Sequence, residues 1–214
     1  MSLRLFDYPA SANCYKVRLL LAQLYRPYER ILVDIFGGET LTDEYAAVNP
    51  ARATPVLQLA DGSYLPESGA ILAHLAEDTA FMPADPVERA QVLRWLLFEQ
   101  TGVMTPIGGL RFRLLTGRIT AEAAERRRPL AFAALEVLER HLDRHDFFVG
   151  DRYSVADIAI YGYTHVAGEA GVDLADFPAV QAWCARVAAQ DDYVNDLEPY
   201  PANAMSGAGR SIYG

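Results

Sequence analysis

Ser11-Ala12-Asn13-Cys14 stands where a short apolar run (LRLF, Leu3–Phe6) gives way to a helical pattern (CYKVRLLLAQL). A C-x-x-C at such a strand-to-helix turn reads as a redox dithiol; here a hydroxyl occupies the place of the first sulfur. The first turn of a helix leaves backbone N–H groups unpaired and carries the positive end of the helix dipole, so this turn favours an anion beside Ser11. A thiolate is one such anion. A free thiol, with a pKa of about 8.5, is only slightly ionised at neutral pH, and hydrogen bonds donated to the sulfur by Ser11 or Asn13 shift the balance toward thiolate. Ser11 has no Ser-His-Asp partners and no G-x-S-x-G around it. Its hydroxyl therefore reads as the holder of another molecule's sulfur or, more plainly, as a helix N-cap. Cys14, about one turn into the helix, reads as a buried, inert thiol.

Three further features fall in a telling order. Thr54-Pro55 opens a strand pattern, a position where proline is tolerated and a cis bond is feasible; a cis proline would turn the preceding N–H and C=O outward, toward an extended peptide. Glu67-Ser68 starts the next helical run. A carboxylate, a hydroxyl and free N–H groups at one helix N-terminus can take both ends of an amino-acid zwitterion. Arg52 is a loop cation just before the proline. Taken singly, each has a bland reading as a helix start or a solvated side chain.

The elements that must position these residues alternate over the first 78 positions. LRLFDY and YERILVDI (28–35) are extended, and Val17, Leu20, Leu21 and Leu24 recur at helical spacing. LTDEYAAVN (41–49) is a short helix with Thr42 as N-cap. PVLQLADGSYLP (55–66) is a hairpin around Asp61-Gly62, and ESGAILAHLAED (67–78) returns to helical period. The order β-α-β-α-β-β-α predicts a mixed sheet covered by helices. DTAFMPADPVE reads as a linker. Beyond it the pattern is helical almost to residue 195, which predicts a helical bundle. Within it SVAD (Ser154–Asp157) fits a capping box, with Tyr153 and Ile158 as its hydrophobic staple. Pro106 and Gly108-Gly109 are expected to break or kink the long helix that follows WLLFEQ. The tail EPYPANAMSGAGRSIYG has no period and is either disordered or packed as a flap.

The 214 residues, about half of them hydrophobic, suffice for a sizeable core, and no apolar run approaches the length of a membrane span. A formal charge of −9 argues against nucleic acid or an anionic membrane as partner. ERRRP (125–129), the one dense basic run, reads as a solvated helix face. The N-terminus lacks a signal-peptide pattern. The two cysteines lie too far apart in sequence to suggest a disulfide framework or a zinc site, and no N-x-S/T sequon occurs. The expectation is a cytoplasmic protein in a reducing compartment.

SANCYKVRLLL, VNPARATPVL and LPESGAILAHL, with WLLFEQ and VGDRYSVADIAIY in the helical half, resemble the soluble glutathione transferase family over essentially the whole chain. The match looks most like its bacterial branch, which places serine, threonine, cysteine or asparagine at the sulfur. The resemblance implies a thioredoxin-like α/β domain with a four-stranded mixed sheet (1–78), a linker (79–86), an all-α bundle (87–198) and a tail (199–214). It implies Ser11 at the glutathione sulfur with Asn13 as second candidate, Thr54 before a cis Pro55 pairing with the cysteinyl unit, and Glu67 and Ser68 at the γ-glutamyl end. Arg52 and Ala53 complete the glutathione contacts, Arg52 near the glycyl carboxylate; Tyr8 is not assigned to the sulfur. The implied activity is thiolate attack on a small, largely apolar electrophile, in detoxification, by a cytoplasmic homodimer without metal. A glutathione-dependent disulfide reductase or peroxidase, and a non-catalytic binding protein, stay open on the same scaffold. Tyr8, Met104, Ile107, Leu110, Arg111, Phe112 and the tail around Tyr213 are expected to wall the second-substrate pocket.

Overall fold

β1 (Leu3–Asp7) runs parallel to β2 (Tyr28–Leu32) and antiparallel to β3 (Val56–Gln58), which pairs antiparallel with β4 (Tyr64–Pro66). The result, in the computed structural model describing residues 3–213, is the expected four-stranded mixed sheet, ordered β2-β1-β3-β4. The parallel pair needs a crossover, which α1 (Ala12–Gln23) supplies. Leu5 stands opposite Leu57 in the antiparallel register, and both are fully buried. α1 is buried on nearly every side, from Cys14 through Leu21, as befits a helix apolar all round. The polar residues inside that run, Lys16 and Arg18, must therefore find partners in the interior. Arg18 donates to Asp7 Oδ1 at 2.6 Å, and Arg30 on β2 takes Asp7 Oδ2 at 2.5 Å.

Thr42 caps α2 (Asp43–Val48) through a 3.1 Å bond from the Tyr45 amide, and the β3–β4 turn places Gly62 at φ 90°, where glycine alone is unstrained. α3 (Ser68–Ala76) follows directly after β4 and Glu67. These elements form one compact unit up to Leu75, together with the segment from Val194 onward. That segment packs as a strap. Glu198 N–H donates to Pro9 O at 3.2 Å, Arg210 N–H donates to Phe36 O at 2.8 Å, and the Asn203 amide donates to Asp34 at 3.0 Å. The first two residues and the last, where the expected domain bounds begin and end, lie outside the described residues.

The second unit, Ala76–Tyr193, is helical: α4 (Pro86–Phe98), α5 (Gly109–Leu115), α6 (Ala121–Glu125), α7 (Arg128–Leu142), α8 (Val155–Thr164) and α9 (Pro178–Ala188). At Pro106, where a break or kink is expected, the helix changes type and continues. A π-helical stretch, Glu99–Gly108, joins α4 to α5, and its wider i→i+5 ladder accommodates the missing proline N–H. Gly108 has its own reason: a Cβ there would meet the Tyr163 ring at 2.5 Å, so the glycine permits close approach to α8. The capping box at Ser154 and Asp157 is present, and Asp157 reaches further than the sequence pattern predicts. Its carboxylate accepts bonds from Ser154 N (2.9 Å), Ser154 Oγ (3.0 Å), Phe148 N (3.2 Å) and Trp183 Nε1 (2.9 Å). Burial nonetheless pushes its pKa up to about 6. Asp157→Ala strands three N–H donors in the interior, each costing about 1–3 kcal/mol. The expected loss is at least about 3 kcal/mol, read as a lower urea midpoint at unchanged slope.

Candidate functional site

Ser11 is the N-cap of α1, with extended backbone (φ −83°, ψ 119°) and its Oγ accepting the Cys14 amide at 3.3 Å. Capping uses a lone pair of Ser11 Oγ and leaves its proton to be donated, with the Cys14 sulfur one acceptor already within its reach, so the capping and sulfur-holding roles are compatible. Asn13, two residues on and half-buried, accepts on Oδ1 from Lys16 Nζ at 2.8 Å and from Ser68 Oγ at 3.5 Å. Ser68 is the first residue of α3, so Asn13 brings the N-termini of two helices to one place. Glu67, just before α3, has φ 71°. The left-handed region is uncommon for a non-glycine residue, and here it makes the bend between β4 and α3.

Thr54-Pro55 is cis. Among the described residues the Thr54 amide and carbonyl enter no backbone hydrogen bond. The neighbouring Ala53 carbonyl is taken twice, by the Tyr45 hydroxyl at 3.0 Å and by the Asn49 amide at 2.9 Å. Ala53 therefore anchors the loop, and Thr54 is left to present its backbone. Sequence patterns do not mark Tyr45 and Asn49 for this role, beyond the Asn49-Pro50 step that closes α2. Arg52, also left-handed at φ 56°, donates to Thr40 O (2.9 Å) and Thr42 O (2.8 Å) and lies 3.7 Å from Asp43. Its guanidinium holds the loop ahead of α2.

Cys14 accepts the Tyr8 amide on Sγ at 3.4 Å. Burial, then the Asp7 charge, push its pKa up to about 12 against the pull of Thr54, Tyr8 and Ser11. This sulfur stays protonated and is no nucleophile. Among the described residues the buried Tyr8 hydroxyl has no hydrogen-bond partner, and burial, then Tyr200 and Asp34, raise its pKa. Tyr213 of the strap packs 6.4 Å from the Phe36 ring centroid, and burial followed by Cys14 and Glu67 raises its phenol. Two of the expected pocket walls are corrected. Ile107 is a core residue of the helical unit, and Arg111 is buried in an ion pair with Glu169 at 2.5 Å, whereas Leu110 lines a cavity of that unit. Helical spacing turns Arg113 the other way, into a cavity of about 350 Å³ with Thr101, Thr105, Pro106 and Leu130.

A thioredoxin-like unit with converging helix N-termini, together with a helical unit, defines a class of glutathione-dependent proteins. Residues 5–82 match the family model for the glutathione S-transferase N-terminal domain, and residues 103–191 that for the C-terminal domain. The chain is 33% identical over 184 residues to the disulfide-bond oxidoreductase YfcG of Escherichia coli K12, covering 82% of this chain and 85% of that one. A crystal structure of a glutathione S-transferase from Pseudomonas fluorescens Pf-5 superposes with a TM-score of 0.89 at 41% identity, covering 92% of this chain and all of the other. Yeast Ure2p in complex with glutathione superposes at 0.81 with 27% identity, over 89% and 96% of the two chains. The chain belongs to the glutathione S-transferase family.

Asn49 is almost fully buried, and its Oδ1 also accepts the Ala51 amide at 3.0 Å. Asn49→Ala is expected to lower stability by about 1–3 kcal/mol. Thermal unfolding checks the cost, and amide exchange at residues 51–56 checks that the loosening is local.

Proposed function

We propose that the chain binds glutathione across the corner where α1, α3 and the Thr54-Pro55 loop meet, and ionises its thiol for attack on a small, largely apolar electrophile. In this reading Thr54 pairs its free backbone groups with the cysteinyl unit, which sets the sulfur over the α1 N-terminus. Ser11 and Asn13 donate to that sulfur. Glu67, Ser68 and the α3 N-terminus receive the γ-glutamyl ammonium and carboxylate. Arg52 and Ala53 support the loop beside the glycyl end. The thiol releases its proton to solvent, and the thiolate forms a bond to carbon as the leaving group departs with its electron pair. The chain contributes electrostatic stabilisation and orientation. The observation that carries this reading is the Asn13–Ser68 contact, which draws two helix N-termini together.

A second reading is favoured by the likeness to the E. coli oxidoreductase: two glutathione thiols reduce a disulfide to two thiols and leave as glutathione disulfide. Cys14 is buried with its pKa pushed up to about 12, so glutathione would have to supply both reacting sulfurs. A binding protein without catalysis is the third. We further propose a homodimer. Leu93 and Leu97 of α4 and Leu130 of α7 are more than half exposed, an apolar surface that a second copy could cover. A cytoplasmic, detoxifying role is part of the same proposal; among the described residues no helix is long and apolar enough to cross a membrane.

The test is the ultraviolet thiolate absorbance of bound glutathione across pH. In the wild type half-ionisation is expected well below the free-thiol value of about 8.5. Removing a donor to a charged group costs about 1.5–3 kcal/mol, so Ser11→Ala or Asn13→Ala should raise that midpoint by about one to two pH units. Turnover of an aryl halide against that of a small disulfide separates transferase from reductase. Glutathione binding with neither turnover supports the non-catalytic reading.

A further inference from the structure

Lys16 lies within α1 with none of its surface exposed, one turn beyond Asn13, and its Nζ meets Asn13 Oδ1 at 2.8 Å. A buried ammonium is costly unless well paired, and its presence next to the candidate sulfur position calls for a reason beyond packing. Resting on the glutathione reading above, we propose that Lys16 is the positioning residue for thiol activation: it locks the Asn13 amide so that Nδ2–H, not the carbonyl, is offered to the bound sulfur.

The inference follows from donor and acceptor inventory. An ammonium has three donors and no acceptor, whereas an asparagine amide has one accepting and one donating end. Lys16 can therefore face only Oδ1. Ser68 Oγ stands on the same side, 3.5 Å from Oδ1, so the carbonyl end is held by two neighbours. A flipped amide would set Nδ2 against Nζ, donor on donor, and strand the ammonium's proton in the interior. With Oδ1 held inward, Nδ2 has no protein partner among the described residues and faces the other way. A thiolate can only accept, so the lock matters: an amide free to flip would present its carbonyl, which repels the anion, for part of the time. The charge-assisted bond also polarises the amide and strengthens its N–H as a donor. Other titratable groups at this corner are Glu67, Cys14, held protonated by burial, and Tyr213, whose phenol is raised. None of these adds a cation that could replace Lys16.

The experiment is a double-mutant cycle on the half-ionisation pH of bound glutathione, read by thiolate absorbance, with Lys16→Met, Asn13→Ala and the double variant. Binding of S-methylglutathione, whose thioether cannot ionise, is the control for an intact fold. Lys16→Met is expected to raise the midpoint by about one pH unit and to leave the S-methylglutathione Kd within about twofold. The double variant should rise no further than Asn13→Ala alone. A Lys16→Met protein that binds S-methylglutathione normally with an unshifted midpoint overturns the proposal, and so does a double variant whose rise is the sum of the singles. If Lys16→Met does not fold, the wild type still decides. The side-chain amide resonance of Asn13, one of four asparagines in the chain, should move on adding glutathione and much less with S-methylglutathione; equal responses overturn the proposal. A wild type that binds glutathione without thiolate absorbance sinks the function reading itself, which separates that failure from failure of the Lys16 role.

Discussion

Where the first turn of α1 points decides what the candidate site can do, and that direction is held by one buried guanidinium. Arg18 binds Asp7 at the end of β1, both oxygens of Asp196 in the returning segment (3.0 and 2.9 Å) and the carbonyls of Pro9 and Asp196 (both 3.3 Å). Arg30 closes the other side of Asp7. Strand, turn, helix and strap thus share a single planar fork. Its geometry restricts the relative angle of these parts far more than an apolar contact of equal area would. Isolated burial of such charges is unfavourable; here each charge has an opposite partner and the Arg18 fork is also bonded to backbone carbonyls. The consequence is a helix N-terminus whose position does not depend on the ligand it is proposed to receive.

The same economy governs the two loops that approach that terminus. Among the described residues the Thr54 backbone enters no backbone hydrogen bond, while the Tyr45 hydroxyl and the Asn49 amide both fasten the neighbouring Ala53 carbonyl. Arg52 is left-handed and donates to carbonyls ahead of α2. Glu67 is left-handed immediately before α3. Such backbone conformations persist where the surroundings over-determine them, and both sit where the chain turns abruptly into the corner. An extended peptide meeting this corner would find its hydrogen-bonding groups already arranged, so little of its binding energy would go into ordering the protein.

Much of this was legible in the sequence, because it rests on local rules. Thr42 and Ser154 cap their helices as their types and neighbours predict, and the Asp61-Gly62 turn, the crossover and the hairpin yield the mixed sheet. Ser11, Asn13, Thr54 and Ser68 come to one corner because each stands at the first turn or opening of an element, a place sequence patterns mark well. What sequence could not reveal depends on distant partners. Lys16 in CYKVRLLL reads as an ordinary helix residue until the helix is seen to be buried all round. Arg111 looks like a pocket cation until Glu169, far along the chain, claims it. Pro106 predicts a break by its own chemistry, and only the widened ladder of the π-helical stretch explains why the helix continues. The strap was undecidable from composition, since glycine- and proline-rich segments pack only where a surface offers partners.

The pattern of sulfur and oxygen at the corner has a chemical logic of its own. Burial pushes both cysteines, Cys14 and Cys184, up to about 12, so the chain's own thiols are protonated and unreactive at neutral pH. Ser11 occupies the position a reactive sulfur would need, and a hydroxyl forms no mixed disulfide. The first turn of α1 then offers stabilisation for a thiolate while the protein supplies no thiolate to use it. A helix terminus that favours a thiolate, with no internal thiolate beside it, suits one delivered from outside. Within the site Ser11 and Asn13 divide the work differently: Ser11 must also cap α1, whereas Asn13 has its accepting end anchored and its donating end unclaimed. In the proposed glutathione reading the hydroxyl secures the helix that creates the field, and the amide is the better placed to follow the sulfur.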